Sequence, residues 1–121
     1  MQDLTSLIKS ISHENRLRIL NLLKEEDLCV CEMKNIMDLK QSNVSRHLNR
    51  LKQSDLVRTE RKAQWVYYQL HEDTLSRYGF LGKILEEELD RPEICREDIK
   101  RLEIYMESGL DCSELSEADI L

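Results

Sequence analysis

The 121-residue sequence contains no apolar run that approaches the roughly 20 residues needed to cross a bilayer. Its N-terminal segment carries an acid where a secretory signal would carry a basic patch, so we expect a cytoplasmic protein with no membrane partner. The chain also lacks a nucleophile–base pair, a phosphate-binding loop and a paired-acid motif, which argues against an enzyme. No internal repeat or low-complexity linker divides it.

Acidic residues are scarce in one central block, although the whole chain has a net charge of −6. Residues 41–70 hold six basic and two acidic residues, a local charge of +4, whereas residues 71–121 have a charge of −9. A phosphate backbone responds to the local field rather than to the total charge. The central block is therefore compatible with nucleic acid as a partner.

Apolar residues at helical spacing predict four short helices in the first half of the chain, at 4–11, 14–26, 29–38 and 41–53. Ser12 is a plausible N-cap for the second of them. The fourth has an apolar stripe on one side and amides, hydroxyls and arginines on the other.

A stretch rich in β-formers follows and predicts a hairpin with strands 57–61 and 65–70. Two tandem helices followed by a basic hairpin predict a winged helix-turn-helix, in a mostly α fold with a small β-hairpin (α+β). In this arrangement the helix 29–38 crosses the DNA backbone and the helix 41–53 enters the major groove.

The second half predicts a long helix at 73–90, a last helix at 92–108 and an acidic tail that is only partly ordered. We divide the chain into residues 1–90, a DNA-binding and dimerisation domain, and residues 91–121, a C-terminal helix and tail. The apolar faces left over on the first helix and on the long helix predict the two-fold interface of a homodimer.

The candidate DNA contacts are polar or basic residues on the outer face of the fourth helix and at the tip of the hairpin. Such side chains supply hydrogen bonds to base edges and charge for phosphates. They are Gln41, Ser42, Asn43, Ser45, Arg46, His47 and Arg50 in the helix, and Arg61 and Lys62 at the hairpin tip. A solvated surface helix is the alternative for the segment as a whole, and a structural histidine between two helices is the alternative for His47.

Cys29 and Cys31 form a second constellation, because soft thiolates select thiophilic ions such as trivalent arsenic or antimony. Four cysteines in a cytoplasmic chain suggest thiol or metal chemistry more than a disulfide framework. In a regular helix the two residues would lie roughly 200° apart. Binding to one atom therefore requires Cys29 in a non-helical position or an unwound first turn, and we hypothesise that this distortion is a switch.

The segments ENRLRILNLL, DLCVCEM, QSNVSRHLNRLKQSDLV and QWVYYQL resemble the ArsR/SmtB metalloregulatory repressors, specifically their arsenic-responsive branch. The resemblance implies a homodimeric repressor that needs no cofactor to bind operator double-stranded DNA and that leaves it when arsenite or antimonite binds. It implies metal ligation by Cys29 and Cys31 and DNA contacts from residues 41–47.

The sequence departs from this pattern where Lys34 replaces a third cysteine. Cys95, Cys112 or a buffer thiol are open candidates for a third ligand. Because residues 73–90 contain no histidine, a zinc or cadmium site on that helix is not expected.

Other functions remain as alternatives. The Cys29/Cys31 pair could be a thiol redox sensor in the same repressor, with thiolates of lowered pKa at a helix N-terminus. The winged helix could serve protein contacts alone. A thiol oxidoreductase is disfavoured, because the spacing is Cys-x-Cys and no strand–helix–strand pattern surrounds it.

Overall fold

The computed structural model describes residues 2–121, which form eight α-helices, one π-helical turn and one β-hairpin. In chain order these are α1 Gln2–Ile11, α2 Glu14–Leu23, α3 Val30–Met37, α4 Gln41–Gln53, β1 Val57–Lys62, β2 Trp65–Leu70, α5 Glu72–Arg77, α6 Gly79–Lys83, the π-helical turn Ile84–Glu88, α7 Glu93–Ser108 and α8 Cys112–Ala118. The mostly helical fold with a single hairpin confirms the predicted class.

The helix-turn-helix is formed by α3 and α4, and the hairpin that follows is the wing. Asp38 ends α3 in the left-handed conformation, with φ 54°, which turns the chain into α4. The strands pair antiparallel, with Val57 opposite Leu70, and the turn between them contains Ala63 at φ 56°. Helix α4 has the predicted bounds of 41–53, and β1 extends one residue beyond its predicted end.

The core lies where α2, α3 and α4 meet. Its completely buried side chains there are the aliphatic and thioether residues Ile19, Leu22, Met33, Ile36, Val44, Leu48 and Leu51. Burying a side chain of this size contributes about 1.5–3 kcal/mol. Residues of α7 and α8, among them Leu102 and Leu115, belong to the same core cluster.

The long helix predicted at 73–90 is wrong, because the structure breaks it into α5, α6 and the π-helical turn. Tyr78, with φ −116° and ψ 88°, leaves the helical conformation between α5 and α6. Gly79 and Gly82, which have low helix propensity, lie directly after this break. Leu75, Leu81 and the other apolar residues of this stretch recur at helical spacing on both sides of the break, and periodicity alone does not reveal it.

Two other local predictions need correction. His13, not Ser12, is the N-cap of α2, since its Nδ1 accepts a hydrogen bond from the backbone N–H of Asn15 at 3.1 Å. The C-terminal tail is not loosely ordered: α8 packs against α3 with Leu115 buried.

Helix α7 packs against α2 and α3, so the segment after residue 90 lies on the same core as the winged helix. The domain boundary at residue 90 stays a prediction. Within residues 2–121, no helix is both long enough and apolar enough to span a bilayer.

Candidate nucleic-acid interface and thiol site

Helix α4 presents a polar outer face over a buried apolar stripe. Val44, Leu48 and Leu51 point inward with no exposed surface, which is why the helix docks in one orientation. The candidate residues on the outer face are exposed at Gln41, Ser42 and Arg46 and half-buried at Asn43, Ser45 and Arg50. No carboxylate lies within α4, so nothing in the helix itself repels a phosphate backbone.

Two arginines of α4 differ in how free they are. Arg46 donates from Nη2 to Oδ1 of Asn43 at 3.2 Å, which holds both side chains on the exposed face. Arg50 donates to Oγ of Ser54 at 2.7 Å and to the carbonyl of Ser6 in α1 at 3.3 Å. Arg50 therefore ties α4 to α1 as well as lying near the outer face.

His47 lies between the helices and not on the outer face. Its side chain is only 4% exposed, and its ring centroid is 4.3 Å from that of His13. Burial, followed by the positive potential of His13, Arg16 and Arg46, lowers the pKa of His47 to about 4. A neutral, buried ring fits the structural alternative, and the prediction that His47 faces DNA does not agree with this placement.

The tip of the wing carries the second group of candidate contacts. Arg61 and Lys62 are both exposed, and Lys62 Nζ lies 5.5 Å from the centroid of the Tyr67 ring. Trp65 and Val66 are each 39% exposed on the same hairpin. The wing thus projects charge and apolar surface away from the core, the combination used by wings and arms that reach phosphates or the minor groove.

Cys29 is the N-cap of α3 and has extended backbone angles, φ −90° and ψ 169°. It therefore lies outside the helix, so the first turn need not unwind to release it, and the idea that unwinding is required is wrong. Its N–H donates to Oε1 of Glu32 at 2.9 Å, and the hydroxyl of Tyr105 in α7 donates to the other oxygen of that carboxylate. Burial is the main cause that raises the pKa of the Cys29 thiol.

The raised pKa of Cys29 is opposite to what the redox-sensor alternative assumes. A helix N-terminus favours thiolate, but the Cys29 side chain is buried and lies beside Glu32, and both effects favour the neutral thiol. The Cys29/Cys31 pair forms no bridge in the structure.

Cys31 is instead joined to Cys112 of α8 by a disulfide that spans 81 residues, with the two Cα atoms 6.0 Å apart. The expectation of four free thiols is therefore wrong for these two cysteines, because the docking of α8 on α3 brings their side chains together. Cys29 and Cys95 are free and buried. In this disulfide-bonded state, no three His, Cys, Asp or Glu side chains within residues 2–121 are close enough to hold a metal ion.

Comparison with known proteins identifies the family. Residues 13–59 match the model of the bacterial regulatory protein, arsR family. The cadmium resistance transcriptional regulatory protein CadC of Listeria innocua is 35% identical over 86 residues, which cover 70% of this chain and 72% of that protein. The chain belongs to the ArsR family.

Two further similarities place this ArsR-family protein. The arsenical resistance operon repressor of Escherichia coli is 40% identical over 65 residues, 53% of this chain but only 56% of the repressor. The structure of reduced HlyU from Vibrio cholerae superimposes with a TM-score of 0.60 at 32% identity, covering 71% of this chain and 90% of that one. The family consists of DNA-binding transcriptional regulators and not of enzymes, which confirms both predictions.

Sequence reasoning missed the polar network that holds α3 against α7. At the C-terminal end of α3, Arg18 donates to the carbonyl of Met37 at 3.2 Å, and Arg101 donates to the carbonyls of Asn35, at 2.9 Å, and Ile36. At the N-terminal end the contacts are those of Glu32 described above. The Glu three residues after the N-cap was a readable capping signal, whereas nothing in the sequence marked the α7 partners.

Proposed function

We propose that this ArsR-family protein is a homodimeric repressor that binds operator DNA through α4 and the wing and leaves it when Cys29 and Cys31 bind trivalent arsenic or antimony. It acts in the cytoplasm and needs no cofactor in its DNA-bound state. The observation that carries the proposal is the position of the two cysteines, at and just inside the N-terminal end of α3, the helix packed against α4.

The DNA-binding half of the proposal is supported by the acid-free outer face of α4 and by the exposed Arg61 and Lys62 of the wing. A single module of this size contacts little DNA, so a dimer reading two half-sites is expected. Exposed apolar side chains that suit the dimer interface are Ile8 of α1 and Phe80 of α6, at 47% and 39% exposure.

The inducer-binding half is supported by the chemistry of the donors and by the arsenic and cadmium names of two relatives. Thiolate sulfur is a soft ligand that prefers thiophilic ions over magnesium or calcium. Cys31 becomes available only when its bridge to Cys112 is reduced, the state that a reducing cytoplasm favours.

A path from the cysteines to the DNA-binding surface runs through the wing as well as through α3. Leu28, the residue before Cys29, exchanges two backbone hydrogen bonds with Tyr68 of β2: the Leu28 N–H donates at 3.3 Å and the Tyr68 N–H at 2.8 Å. A backbone change at Cys29 is therefore felt by the wing strand and by α3 together. A coupling of about 1–3 kcal/mol, equivalent to about 5–150-fold in DNA affinity, is sufficient for release.

The test is a DNA-binding titration with reduced protein, a fluorescent palindromic promoter fragment, and arsenite, antimonite, cadmium and zinc in parallel. Cys29→Ser and Cys31→Ser should bind DNA as the wild type does but should not be released by arsenite. Cys95→Ser is the matched control, because that cysteine is equally buried but lies on α7, and it should still respond.

Release of the Cys29→Ser or Cys31→Ser protein by arsenite would overturn the proposal. Release by peroxide without metalloid, reversed by dithiothreitol, would favour the redox-sensor alternative instead.

A further inference from the structure

We propose that Cys112 of α8 supplies the third sulfur of the thiolate site, so that a trivalent metalloid held by Cys29, Cys31 and Cys112 fastens the C-terminal helix to the first helix of the helix-turn-helix. The inference rests on the proposed function, since it completes the same site. It names which of the two remaining cysteines takes part.

The first support is the proximity of Cys31 and Cys112. The fold brings their sulfurs within bonding reach across 81 residues, and Cys112 is only 4% exposed. The Nδ2 atom of Asn35 lies 3.7 Å from the sulfur of Cys31 and 3.6 Å from that of Cys112, so one amide faces both. When the bridge is reduced, the same placement presents two neighbouring thiols beside the N-terminal end of α3.

The second support is that α8 has contacts with α3 that do not depend on the bridge. Leu115 is buried in the core cluster, and Asn35 Nδ2 donates to Oγ of Ser116 at 3.1 Å. The helix is also capped at its start, where Asp111 Oδ1 accepts from the Glu114 N–H at 2.8 Å and the Asp111 N–H donates to Glu114 Oε1 at 3.0 Å. Opening the disulfide therefore leaves Cys112 held near Cys31.

The third support is that Cys95 lies elsewhere. Its backbone carbonyl accepts a hydrogen bond from Nδ2 of Asn21 in α2 at 3.2 Å, and Asp98 and Arg18 are the charged groups that act on its thiol. It therefore faces α2 and the buried ion pair, whereas Cys112 faces the N-terminal half of α3.

The chemistry of trivalent arsenic requires three bonds, and two cysteines satisfy only two of them. Two low-molecular-weight thiols first reduce the Cys31–Cys112 bridge to two cysteine thiols and leave as one disulfide. Arsenite, As(OH)₃, then condenses with three protein thiols: three arsenic–sulfur bonds replace three arsenic–oxygen bonds, and three waters leave. Cys29 precedes the helix, so its sulfur can turn toward the other two without opening a helical turn.

The test uses the full-length protein, reduced and freed of small thiols, with sodium arsenite as the probe. In the wild type, N-ethylmaleimide labelling followed by mass spectrometry should show arsenite protecting Cys29, Cys31 and Cys112. Cys95 is labelled only after unfolding, with or without arsenite. Arsenic X-ray absorption should show three sulfur neighbours. Protein with the bridge intact should bind no arsenite until it is reduced.

The variant arm uses Cys112→Ser, with Cys95→Ser as the matched buried control and circular dichroism to verify folding. Cys112→Ser should show two sulfurs and one oxygen on arsenic, and arsenite binding weaker on the order of tenfold or more, because one tethered ligand is lost. Cys95→Ser should keep three sulfurs.

The failures can be told apart. If Cys29 and Cys31 are protected in the wild type while Cys112 is labelled and arsenic has two sulfur neighbours, the role of Cys112 is overturned and the proposed function stands. If Cys29 and Cys31 are both labelled in the presence of bound arsenite, the proposed function fails and this inference fails with it.

Discussion

The buried ion pair between Arg18 of α2 and Asp98 of α7 gives the sharpest test of how the C-terminal helices are tied to the helix-turn-helix. Arg18 donates from Nε and Nη2 to the two carboxylate oxygens at 2.7 and 2.9 Å. The side chains are only 9% and 2% exposed. Asp98→Ala would leave a buried guanidinium without its partner, which costs about 3–5 kcal/mol.

That loss is a large share of the roughly 5–15 kcal/mol by which a domain of this kind is stable. The assay is urea unfolding followed by circular dichroism under reducing conditions, so that the Cys31–Cys112 bridge does not contribute. The double variant Arg18→Met with Asp98→Leu should recover most of the loss, because it removes both charges and fills the space with apolar groups. The matched control is Asp90→Ala, which breaks the Lys24–Asp90 pair, where the aspartate is 69% exposed, and should cost less than about 1 kcal/mol.

The reasoning is refuted if Asp98→Ala is no more destabilised than Asp90→Ala. It is also refuted if the double variant is as unstable as the single one, because the loss would then come from packing at this position and not from an unpaired charge.

Two further predictions concern the winged helix itself. His47 has a folded-state pKa of about 4 and an unfolded value of about 6.5, so below pH 6.5 the unfolded chain takes up a proton that the fold refuses. Stability should therefore fall as the pH drops from 6.5 to 4, by at most about 3 kcal/mol, and urea unfolding of His47→Gln should show a smaller fall; an unchanged pH profile would contradict this. Arg46→Gln should weaken DNA binding and reduce the slope of log K against log salt by about 1, whereas Arg96→Gln, on the exposed surface of α7, should change neither. Equal slopes for all three proteins would show that Arg46 makes no phosphate contact.

The parts of the fold that could be predicted are those in which one periodicity decides the structure. Val44, Leu48 and Leu51 can all be buried only by a helix in one orientation, so the bounds of α4 and its polar face followed from the sequence. The hairpin followed from a run of β-formers, even though its turn contains Ala63 in a left-handed conformation and not the glycine or asparagine that usually marks such turns.

The parts that could not be predicted depend on contacts between distant residues. Four cysteines allow three pairings if all are bridged, and more if some stay free, so Cys31–Cys112 is visible only after α8 is docked on α3. Helix α8 itself was readable, since Asp111 and Glu114 have the spacing of a capping box. The placement of His47 was left open, because a histidine at that position of α4 fits either face until the N-cap of α2 is located.

The contacts along α3 change how inducer binding can act. Glu32 and Tyr105 fix the N-terminal end of the helix, and Arg18 and Arg101 hold carbonyls at its C-terminal end. A helix held at both ends resists the unwinding that the Cys-x-Cys spacing first suggested, whereas its N-cap, outside the helix, is free of that constraint. A metalloid bound at the N-cap would therefore displace α3 as a unit, together with the α7 residues attached to it and the wing strand bonded to Leu28. Release from DNA would then come from moving the α4 of each subunit relative to its partner, a change of half-site spacing rather than a loss of structure.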